Sequence, residues 1–323
     1  MLAIIAARPG GPDVLEVREV PTPRPGADEV LVKIAAAGVN RADLLQRQGR
    51  YPPPPGASHI LGLEVSGEVA EVGAAVRGWR VGDACVALLS GGGYAEYVCA
   101  PAGQLLVPPA GVDRVTAGGL IEVAATVASN LAIAELRAGQ TFLVHGGSGG
   151  VGSFAVQYAK ALGASALTTS GSEDKLDYCR SIGADLAVSY RDDWVAAVRE
   201  HTQGQGVDVI LDSIGARYLS AHQDVLAADG RLVVIGLQGG TRAELDLGAL
   251  LAKRGRIIAT TVRSRTVAEK TRMCELVEAR AWPLVGSGQV APAPQTVLPL
   301  AQAAEAHRRL ESGTNLGKII LTL

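Results

Sequence analysis

The stretch Thr141–Gly152, which reads TFLVHGGSGGVG, decides the fold class of this 323-residue chain. Its opening apolar run predicts a buried strand, and Ser153–Leu162 follows with the spacing of a helix. Between them lies the pattern G-x-G-x-x-G, which in a strand–turn–helix context is typical of dinucleotide sites. The first glycine permits a tight turn, the second lets a pyrophosphate approach the backbone, and the third lets the helix pack on the strand.

The turn supplies a first group of predicted cofactor-binding residues, because free N–H groups at a helix start bind phosphates. These residues are Gly147, Ser148, Gly149, Gly150, Val151 and Gly152. The alternative is a glycine-rich turn in an ordinary αβ unit, since glycine is abundant throughout the chain. The flanking strand and helix favour the dinucleotide site.

The remainder of the chain predicts two domains. After the turn, strands alternate with helices and complete a six-stranded set, which indicates a parallel, doubly wound Rossmann sheet of the α/β class. Residues 1–110 instead carry short apolar runs separated by Pro and Gly clusters, as in antiparallel or barrel-like domains. The tail after residue 285 returns to that β-rich character and should pack on the first domain, leaving a cleft between the two. The predicted segments are 1–117, 118–284 and 285–323.

Composition restricts the function classes. The formal net charge is −2 with no basic run, so neither nucleic acid nor an acidic membrane surface is an expected partner. The four cysteines are scattered and show no C-x-x-C spacing, which suits a reducing compartment. No apolar run is long enough for a membrane helix, and Met1–Ala7 lacks the basic start of a signal peptide. We therefore expect a cytoplasmic protein.

The tip of the second predicted strand discriminates between cofactors. NAD-binding domains place a carboxylate there, on the ribose 2′-hydroxyl. Here the tip reads Thr168-Thr-Ser170-Gly171-Ser172, with Lys175 one turn later and Tyr190 at the end of the next strand. Hydroxyls and a lysine suit a 2′-phosphate, so NADPH is favoured. The alternatives are that Ser170 and Ser172 cap a helix and that Lys175 is a surface charge, with Glu173 and Asp174 close enough to leave NADH open.

Two later strand ends should supply the nicotinamide side of the site, because ligands bind at the carboxyl ends of strands in such sheets. The first is Asp212-Ser-Ile214-Gly215, and the second is Gly236-Leu237-Gln-Gly239. Ile214, Gly236 and Leu237 are the cofactor-binding residues predicted from these loops. Asp212 can equally be a turn residue.

Several motifs resemble those of the medium-chain dehydrogenase/reductase superfamily, and more narrowly the zeta-crystallin-like quinone oxidoreductases, especially their tumour-suppressor-inducible branch. The motifs match in order and spacing over essentially the whole chain. They are Asn40-Arg-Ala-Asp43, Arg47-Gln-Gly-Arg-Tyr51-Pro-Pro-Pro-Pro-Gly56, Leu61-Gly-Leu-Glu64-Val-Ser-Gly67, His145–Gly152 and Asn315-Leu-Gly-Lys318.

The resemblance implies a GroES-like catalytic domain beside the Rossmann domain, NADPH-dependent reduction of quinones, and a homodimer or homotetramer. It also implies that Thr126 lies near the nicotinamide and that Lys318 belongs to the cofactor-binding set. One departure stands in Leu120-Ile-Glu122-Val123, where the family usually has Pro before Glu.

The resemblance also implies that no zinc is bound. Zinc alcohol dehydrogenases of the superfamily carry Cys where this chain has Asn40 and His where it has Leu63, and they have a further loop of four cysteines. Zinc requires thiolate or imidazole ligands, which Asn and Leu cannot supply. A quinone carbonyl already accepts hydride well, so the protein need only orient it and donate a hydrogen bond.

The proposed catalytic donors are Tyr51 and Asn40, on loops of the first domain. Each has a structural alternative: Tyr51 can pack on its own prolines, and Asn40 can cap the helix that begins near Arg41. Three further residues of these motifs are more simply explained as structural groups: Asp43 as a helix-start charge, although it can also orient Asn40, Glu64 as a core group and His145 as a packing residue. Arg263, just beyond the sixth strand, can guard the substrate cleft, bind phosphate or equally lie on the surface.

Two alternative functions stay open on the sequence alone. One is reduction of an activated alkene such as an enone, by a similar zinc-free site. The other is an NADPH-binding redox sensor with little turnover.

Overall fold

The computed structural model describes all residues from Met1 to Leu323. They form two compact units. The first contains Met1–Ala125, Val262–Gly286 and Pro292–Leu323, and the second contains Thr126–Thr261 and Ser287–Ala291. The segment 262–284, which the sequence boundaries placed with the Rossmann domain, thus lies in the first unit. Its contacts explain this, because the Trp282 indole donates to the Val107 carbonyl at 2.9 Å.

Fifteen strands and eleven α-helices make up the two units. The strands are β1 (Leu2–Ala6), β2 (Leu15–Glu19), β3 (Glu29–Val39), β4 (Glu64–Val72), β5 (Ala84–Leu88), β6 (Tyr97–Pro101), β7 (Leu105–Leu106), β8 (Thr141–His145), β9 (Ser165–Ser170), β10 (Leu186–Ser189), β11 (Val207–Asp212), β12 (Leu226–Val234), β13 (Arg256–Ala259), β14 (Gln295–Pro299) and β15 (Lys318–Thr322). The helices are α1 (Arg41–Arg47), α2 (Arg114–Ala117), α3 (Ile121–Ile133), α4 (Gly150–Ala161), α5 (Glu173–Ser181), α6 (Trp194–His201), α7 (Leu219–Val225), α8 (Leu247–Ala252), α9 (Val267–Leu276), α10 (Trp282–Gly286) and α11 (Ala303–Ser312). No helix is both long and apolar enough to cross a membrane.

The first unit is built on a seven-stranded sheet in the order β14-β15-β3-β4-β5-β7, with β6 pairing β3. Apart from the parallel β14–β15 pair, its ladders are antiparallel. The tail strand β15 pairs with β3, so that Ile319 lies opposite Val39. The returning tail that the sequence predicted is therefore part of the first domain's sheet.

The second unit has a six-stranded parallel sheet in the order β10-β9-β8-β11-β12-β13. Numbered along the chain, this is the order 3-2-1-4-5-6 of Rossmann domains. The glycine-rich turn follows β8, which lies between β9 and β11. The strand order reverses there, and doubly wound sheets bind their ligands at such a point. The predicted fold class is confirmed.

The entry to α3 is determined by two glycines. Helix α2 ends at Ala117 and α3 begins at Ile121, with Gly118 and Gly119 between them. A β-carbon on Gly118 would lie 2.8 Å from the Ala36 side chain, and one on Gly119 would collide with Ile320. The helix entry therefore packs so closely on β3 and β15 that only glycine fits. Helices α8, α9 and α10 were not predicted.

Two histidines of the second unit are hydrogen-bonded to each other in its core. The Nε2 atoms of His145 and His222 are 2.8 Å apart, and His145 Nδ1 lies 2.9 Å from Thr169 Oγ1. The rings of Trp194 and Tyr218 pack edge-on or tilted against this pair. His145 thus packs, as its structural interpretation predicted. His222 Nδ1 has no hydrogen-bond partner and lies 3.7 Å from the buried Asp212 carboxylate.

Burial keeps both imidazoles neutral. It lowers the pKa of His145 well below its usual 6.5 and that of His222 to about 4. An unfolded chain protonates His222 near pH 6.5, whereas the folded chain resists this protonation until about pH 4. The stability contributed by neutral His222 is therefore complete above pH 6.5 and is lost as the pH falls toward 4. Burial raises the pKa of Asp212, which partly offsets this loss.

We predict that acidification from pH 7 to 5 destabilises the protein and that His222→Gln makes this loss smaller by about 2 kcal/mol, since the glutamine cannot be protonated. Urea unfolding followed by tryptophan fluorescence at both pH values would measure it. His201→Gln, which changes an exposed histidine, is the matched control and should follow wild type. Parallel pH profiles for His222→Gln and wild type would contradict the prediction.

Candidate active site

The glycine-rich turn after β8 is a β-turn over residues 146–149, because the Gly149 N–H donates to the Gly146 carbonyl at 3.0 Å. Gly146, with φ of 74°, opens this turn, and Gly147 and Ser148 are its two central residues. Gly147 therefore lies within the tight turn that the motif predicted. Glycine is also required there because a β-carbon would collide with the Thr168 side chain of β9.

The other two motif glycines have surroundings that agree with their expected roles. Gly149 is the N-cap of α4, and a β-carbon there would meet only the Gly146 carbonyl, at 3.5 Å. A β-carbon on Gly152 would collide with the same carbonyl, so the helix packs tightly on the turn. The start of a 12-residue helix then presents its N–H groups and positive dipole end beside an uncrowded backbone. This geometry suits a phosphate.

The predicted 2′-phosphate residues lie together at the ends of β9 and β10. Ser170 is buried, and its hydroxyl is 3.0 Å from that of Ser148. Tyr190 packs on Gly171, where a β-carbon would be 2.5 Å from the phenol oxygen, yet the residue is 47% exposed. Ser172 is the N-cap residue of α5 without a side-chain capping bond, so its hydroxyl does not serve the helix. Partial burial lowers the pKa of Lys175, one turn into α5.

Sequence reasoning missed a second cation at this place. The Arg191 guanidinium lies 5.9 Å from the centroid of the Tyr190 ring, within cation–π range. Its position directly after a tyrosine at a predicted strand end was the available signal. The exposed Tyr190 ring therefore has a positive charge on one side.

The loops after β11 and β12 differ in what they offer. The Asp212 carboxylate accepts the N–H of Ile214 at 2.7 Å and that of Gly215 at 3.0 Å, so it stabilises its own turn. Gly236 packs on the Ser213 backbone, where a β-carbon would be 2.9 Å from the carbonyl oxygen, and Leu237 is half exposed. Thr126 is buried in α3, and its carbonyl accepts from the Asn130 side chain at 2.7 Å.

A buried ion pair is the central polar feature of the first unit. Lys318 Nζ lies 2.6 Å from Glu64 Oε1 and donates to Asn40 Oδ1, also at 2.6 Å. The Asn40 amide donates to Glu64 Oε1 at 2.9 Å, and the Glu122 N–H donates to Glu64 Oε2 at 3.0 Å. Asn40 is also the N-cap residue of α1 and forms a capping box with Asp43, so the helix-capping alternative applies in addition to these contacts. Lys318, predicted as a cofactor residue, thus pairs with Glu64 in this structure.

Asp43 supports the backbone of the loop that carries Asn40. Its fully buried carboxylate accepts the N–H of Asn40 at 2.8 Å, that of Gly62 at 3.1 Å and the Tyr94 hydroxyl at 3.2 Å. Burial raises its pKa to about 6, although these donors oppose the shift. Asp43 therefore holds the backbone of Asn40, in addition to standing in the first turn of α1. The Tyr94 hydroxyl also lies 3.2 Å from His307 Nε2.

The loop that carries Tyr51 is held by a distant arginine. Arg263 donates to the Tyr51 carbonyl at 3.2 Å, and its guanidinium carbon lies 5.3 Å from the centroid of the Tyr51 ring. Arg263 is only 4% exposed, which excludes the surface role considered from the sequence.

Asn40 and Leu63, the positions at which zinc alcohol dehydrogenases carry Cys and His, are both buried in the first unit. Asn40 is engaged by Glu64 and Lys318, and Leu63 is buried. No group of three His, Cys, Asp or Glu side chains lies close enough to hold a metal ion.

Comparison with known proteins agrees with this geometry over the full chain. Residues 26–110 match the family model described as alcohol dehydrogenase GroES-like domain, and residues 150–279 match the one described as zinc-binding dehydrogenase. A quinone oxidoreductase of Pseudomonas aeruginosa is 34% identical over 97% of this chain and 96% of its own length. The chain belongs to the quinone oxidoreductase family of medium-chain dehydrogenases/reductases.

Solved structures extend the comparison to proteins with a bound cofactor. The crystal structure of Escherichia coli quinone oxidoreductase complexed with NADPH covers 100% of both chains at 30% identity, with a TM-score of 0.88. A mycobacterial protein complexed with NADPH also covers 100% of both chains, at 33% identity and a TM-score of 0.89. The whole chain, including both domains, is therefore matched by solved structures of relatives that bind NADPH.

We predict that Lys318→Met destabilises the protein by about 3–5 kcal/mol, because it leaves the Glu64 carboxylate buried without its counter-charge. The double variant Glu64→Gln/Lys318→Met should recover most of the loss, since it removes both charges. Urea unfolding of the two variants would measure the difference. Lys33→Met, at an exposed position on β3, is the control. A double variant as unstable as Lys318→Met would show that the loss comes from packing and not from the unpaired charge.

Proposed function

We propose that this chain is an NADPH-dependent quinone reductase that works without zinc. The observation that carries the proposal is the full-length similarity to proteins named quinone oxidoreductase. Two solved structures that match the whole chain are complexes with NADPH. The chemistry of the first unit supports it, because Asn40 and Leu63 replace a thiolate and an imidazole. The four cysteines are free thiols, which fits a cytoplasmic enzyme.

The second unit fits NADPH. We assign the pyrophosphate to the turn at Gly149 and the N–H groups that begin α4, and the 2′-phosphate to Ser172, Lys175 and Tyr190. Arg191 adds charge beside Tyr190. The remaining predicted cofactor residues (Thr126, Gly147, Ser148, Gly150, Val151, Gly152, Ser170, Gly171, Ile214, Gly236, Leu237 and Lys318) are proposed to shape the site or to support these groups. NADPH supplies the hydride when it is bound.

Tyr51 and Asn40 are the donors that we assign to the substrate. A quinone that accepts hydride becomes a phenolate and requires one proton, which the Tyr51 hydroxyl can give. The Asn40 side-chain amide has two N–H groups. One donates to Glu64 at 2.9 Å, and the other makes only a long hydrogen bond of 3.4 Å to the Gly38 carbonyl. That second N–H is the one we assign to a substrate carbonyl. The site then needs only to orient the quinone and to supply one proton.

We expect the wild-type protein, treated with a chelator, to oxidise NADPH faster than NADH with an ortho- or para-quinone as acceptor. Loss of absorbance at the nicotinamide band would measure it, with an enone in a parallel assay. Turnover of the enone alone would assign the chain to alkene reduction. NADPH binding without turnover of any acceptor would favour a redox sensor.

The cofactor preference has its own control within the same assay. Lys175→Gln should raise the KM for NADPH about tenfold and leave that for NADH unchanged, because the lysine is assigned to the 2′-phosphate alone. Lys160→Gln, which removes a surface lysine paired with Asp185, should leave both values unchanged.

We further propose that the chain forms a homodimer through the open edge of the second unit's sheet. β13 pairs with β12 alone and ends the sheet. Beside it, Leu247 and Leu251 of α8 are 69% and 79% exposed, and Ile257 of β13 is 38% exposed. An unpaired strand edge next to exposed leucines is suited to a second copy, since a two-fold axis pairs the same surface on both subunits.

We predict that Leu247→Lys/Leu251→Lys converts the dimer into a monomer, because charges cannot be buried in the interface. Light scattering coupled to size exclusion would give the mass. Val81→Lys changes a 66% exposed apolar residue of the first unit and should leave the dimer intact. A wild-type protein that is monomeric at micromolar concentrations would contradict the assignment.

A further inference from the structure

Arg263 connects the last turn of α1 to two loops of the first unit. Its Nε donates to the Ser90 carbonyl at 2.9 Å, its Nη1 to the Tyr51 carbonyl at 3.2 Å, and its Nη2 to Gln46 Oε1 at 2.5 Å. The Gln46 amide in turn donates to the His59 carbonyl at 2.9 Å. Both ends of the loop between α1 and β4 are therefore fastened to one guanidinium, and Tyr51 lies inside that loop.

The charge of Arg263 has no direct counter-ion. It forms no ion pair with a carboxylate, and neither does Lys270, whose ammonium is hydrogen-bonded to the Ser90 hydroxyl. Burial lowers the pKa of Arg263, and the more distant Asp43 carboxylate opposes that shift. Both side chains are buried, at 4% and 1% exposure. Burial and the nearby Arg263 lower the pKa of Lys270 to about 8. Burying a cation without an ionic partner is costly, and packing alone would be served as well by a neutral residue.

The positive charge of Arg263 lies over the ring of Tyr51. The guanidinium carbon lies 5.3 Å from the ring centroid, where a cation is attracted by the π-face. That attraction grows when the phenol becomes a phenolate, because a full negative charge then replaces the ring quadrupole. The same guanidinium holds the Tyr51 carbonyl, so that ring and backbone are fixed together.

We infer that Arg263 is a positioning residue for Tyr51: it fixes the loop and stabilises the phenolate that Tyr51 becomes on donating its proton to the reduced quinone. The inference rests on the proposed function. Hydride transfer moves two electrons and one hydrogen nucleus from NADPH to the quinone and leaves a hydroquinone anion. The Tyr51 O–H bond breaks as the O–H bond of the hydroquinone forms. Water then returns a proton to Tyr51, so the sum is NADPH, quinone and one proton giving NADP⁺ and hydroquinone.

The experiment is a double-mutant cycle between Arg263→Gln and Tyr51→Phe, with kcat measured at saturating NADPH. General acid catalysis contributes about 10²–10⁴-fold, so Tyr51→Phe should lower kcat by about a hundredfold or more and Arg263→Gln by no more than Tyr51→Phe. The double variant should fall within about threefold of Tyr51→Phe, because the arginine acts through the tyrosine. Arg263→Lys, which keeps the charge, should recover part of the loss.

A readout of proton transfer separates positioning from simple support of the fold. The solvent deuterium isotope effect on kcat should rise in Arg263→Gln, since proton donation becomes slower relative to hydride transfer. Arg231→Gln is the matched control: this buried arginine donates to the Ala134 and Glu135 carbonyls at the end of α3. It should lower stability without changing the isotope effect.

Three outcomes would overturn the inference while leaving quinone reduction in place. They are additive losses in the double variant, an unchanged kcat in Tyr51→Phe, and an Arg263→Gln effect confined to the KM for NADPH. The last would make Arg263 a phosphate ligand. Failure of the wild-type protein to reduce any quinone would instead refute the proposed function itself.

Discussion

The buried contact between Glu64 and Lys318 is the interaction on which the first unit depends. It joins the start of β4 to the start of β15, which enters the sheet from the far end of the chain. The second Glu64 oxygen accepts an N–H from the first turn of α3, so one carboxylate fixes two strands and a helix start. Gly38 is required beside it, because a β-carbon there would collide with the carboxylate.

The same contact explains how the fold can use an asparagine where zinc-binding relatives would have a cysteine. The Asn40 amide donates to the anion of the pair and accepts from its cation, so both polar ends are satisfied. A thiolate at this position would add a second negative charge beside Glu64, which without a metal would have to be neutralised by another cation. Asp43 holds the backbone of Asn40 from the other direction, with its pKa raised to about 6 by burial. The loop is therefore set by hydrogen bonds in the place of coordination bonds.

Sequence periodicity was sufficient for the fold class because it reports which face of an element is buried. It predicted the Rossmann strands and the returning tail, and the motif indicated the correct turn. It could not show that Thr168 on the neighbouring strand also requires glycine at position 147, because that contact joins residues distant in sequence. Nor could it show which unit receives residues 262–286, since α9 and α10 contact loops more than a hundred residues earlier. The burial of Arg263 could not be predicted for the same reason, because its partners are two backbone carbonyls on distant loops and a glutamine of α1.

Positive charge is provided differently in the two units, and the difference follows from the chemistry each would serve. In the second unit the helix start at Gly150 offers N–H groups and a dipole, and Lys175 and Arg191 are at least partly solvated, which suits a phosphate that arrives with its own permanent charge. In the first unit Arg263 and Lys270 are buried and bound to neutral acceptors. A neutral quinone brings no charge to attract, so positive charge is useful there only after electrons have been transferred. Cations that are hydrogen-bonded to carbonyls and hydroxyls can still stabilise the negative charge that forms on electron transfer. A carboxylate partner would neutralise these cations before that charge forms.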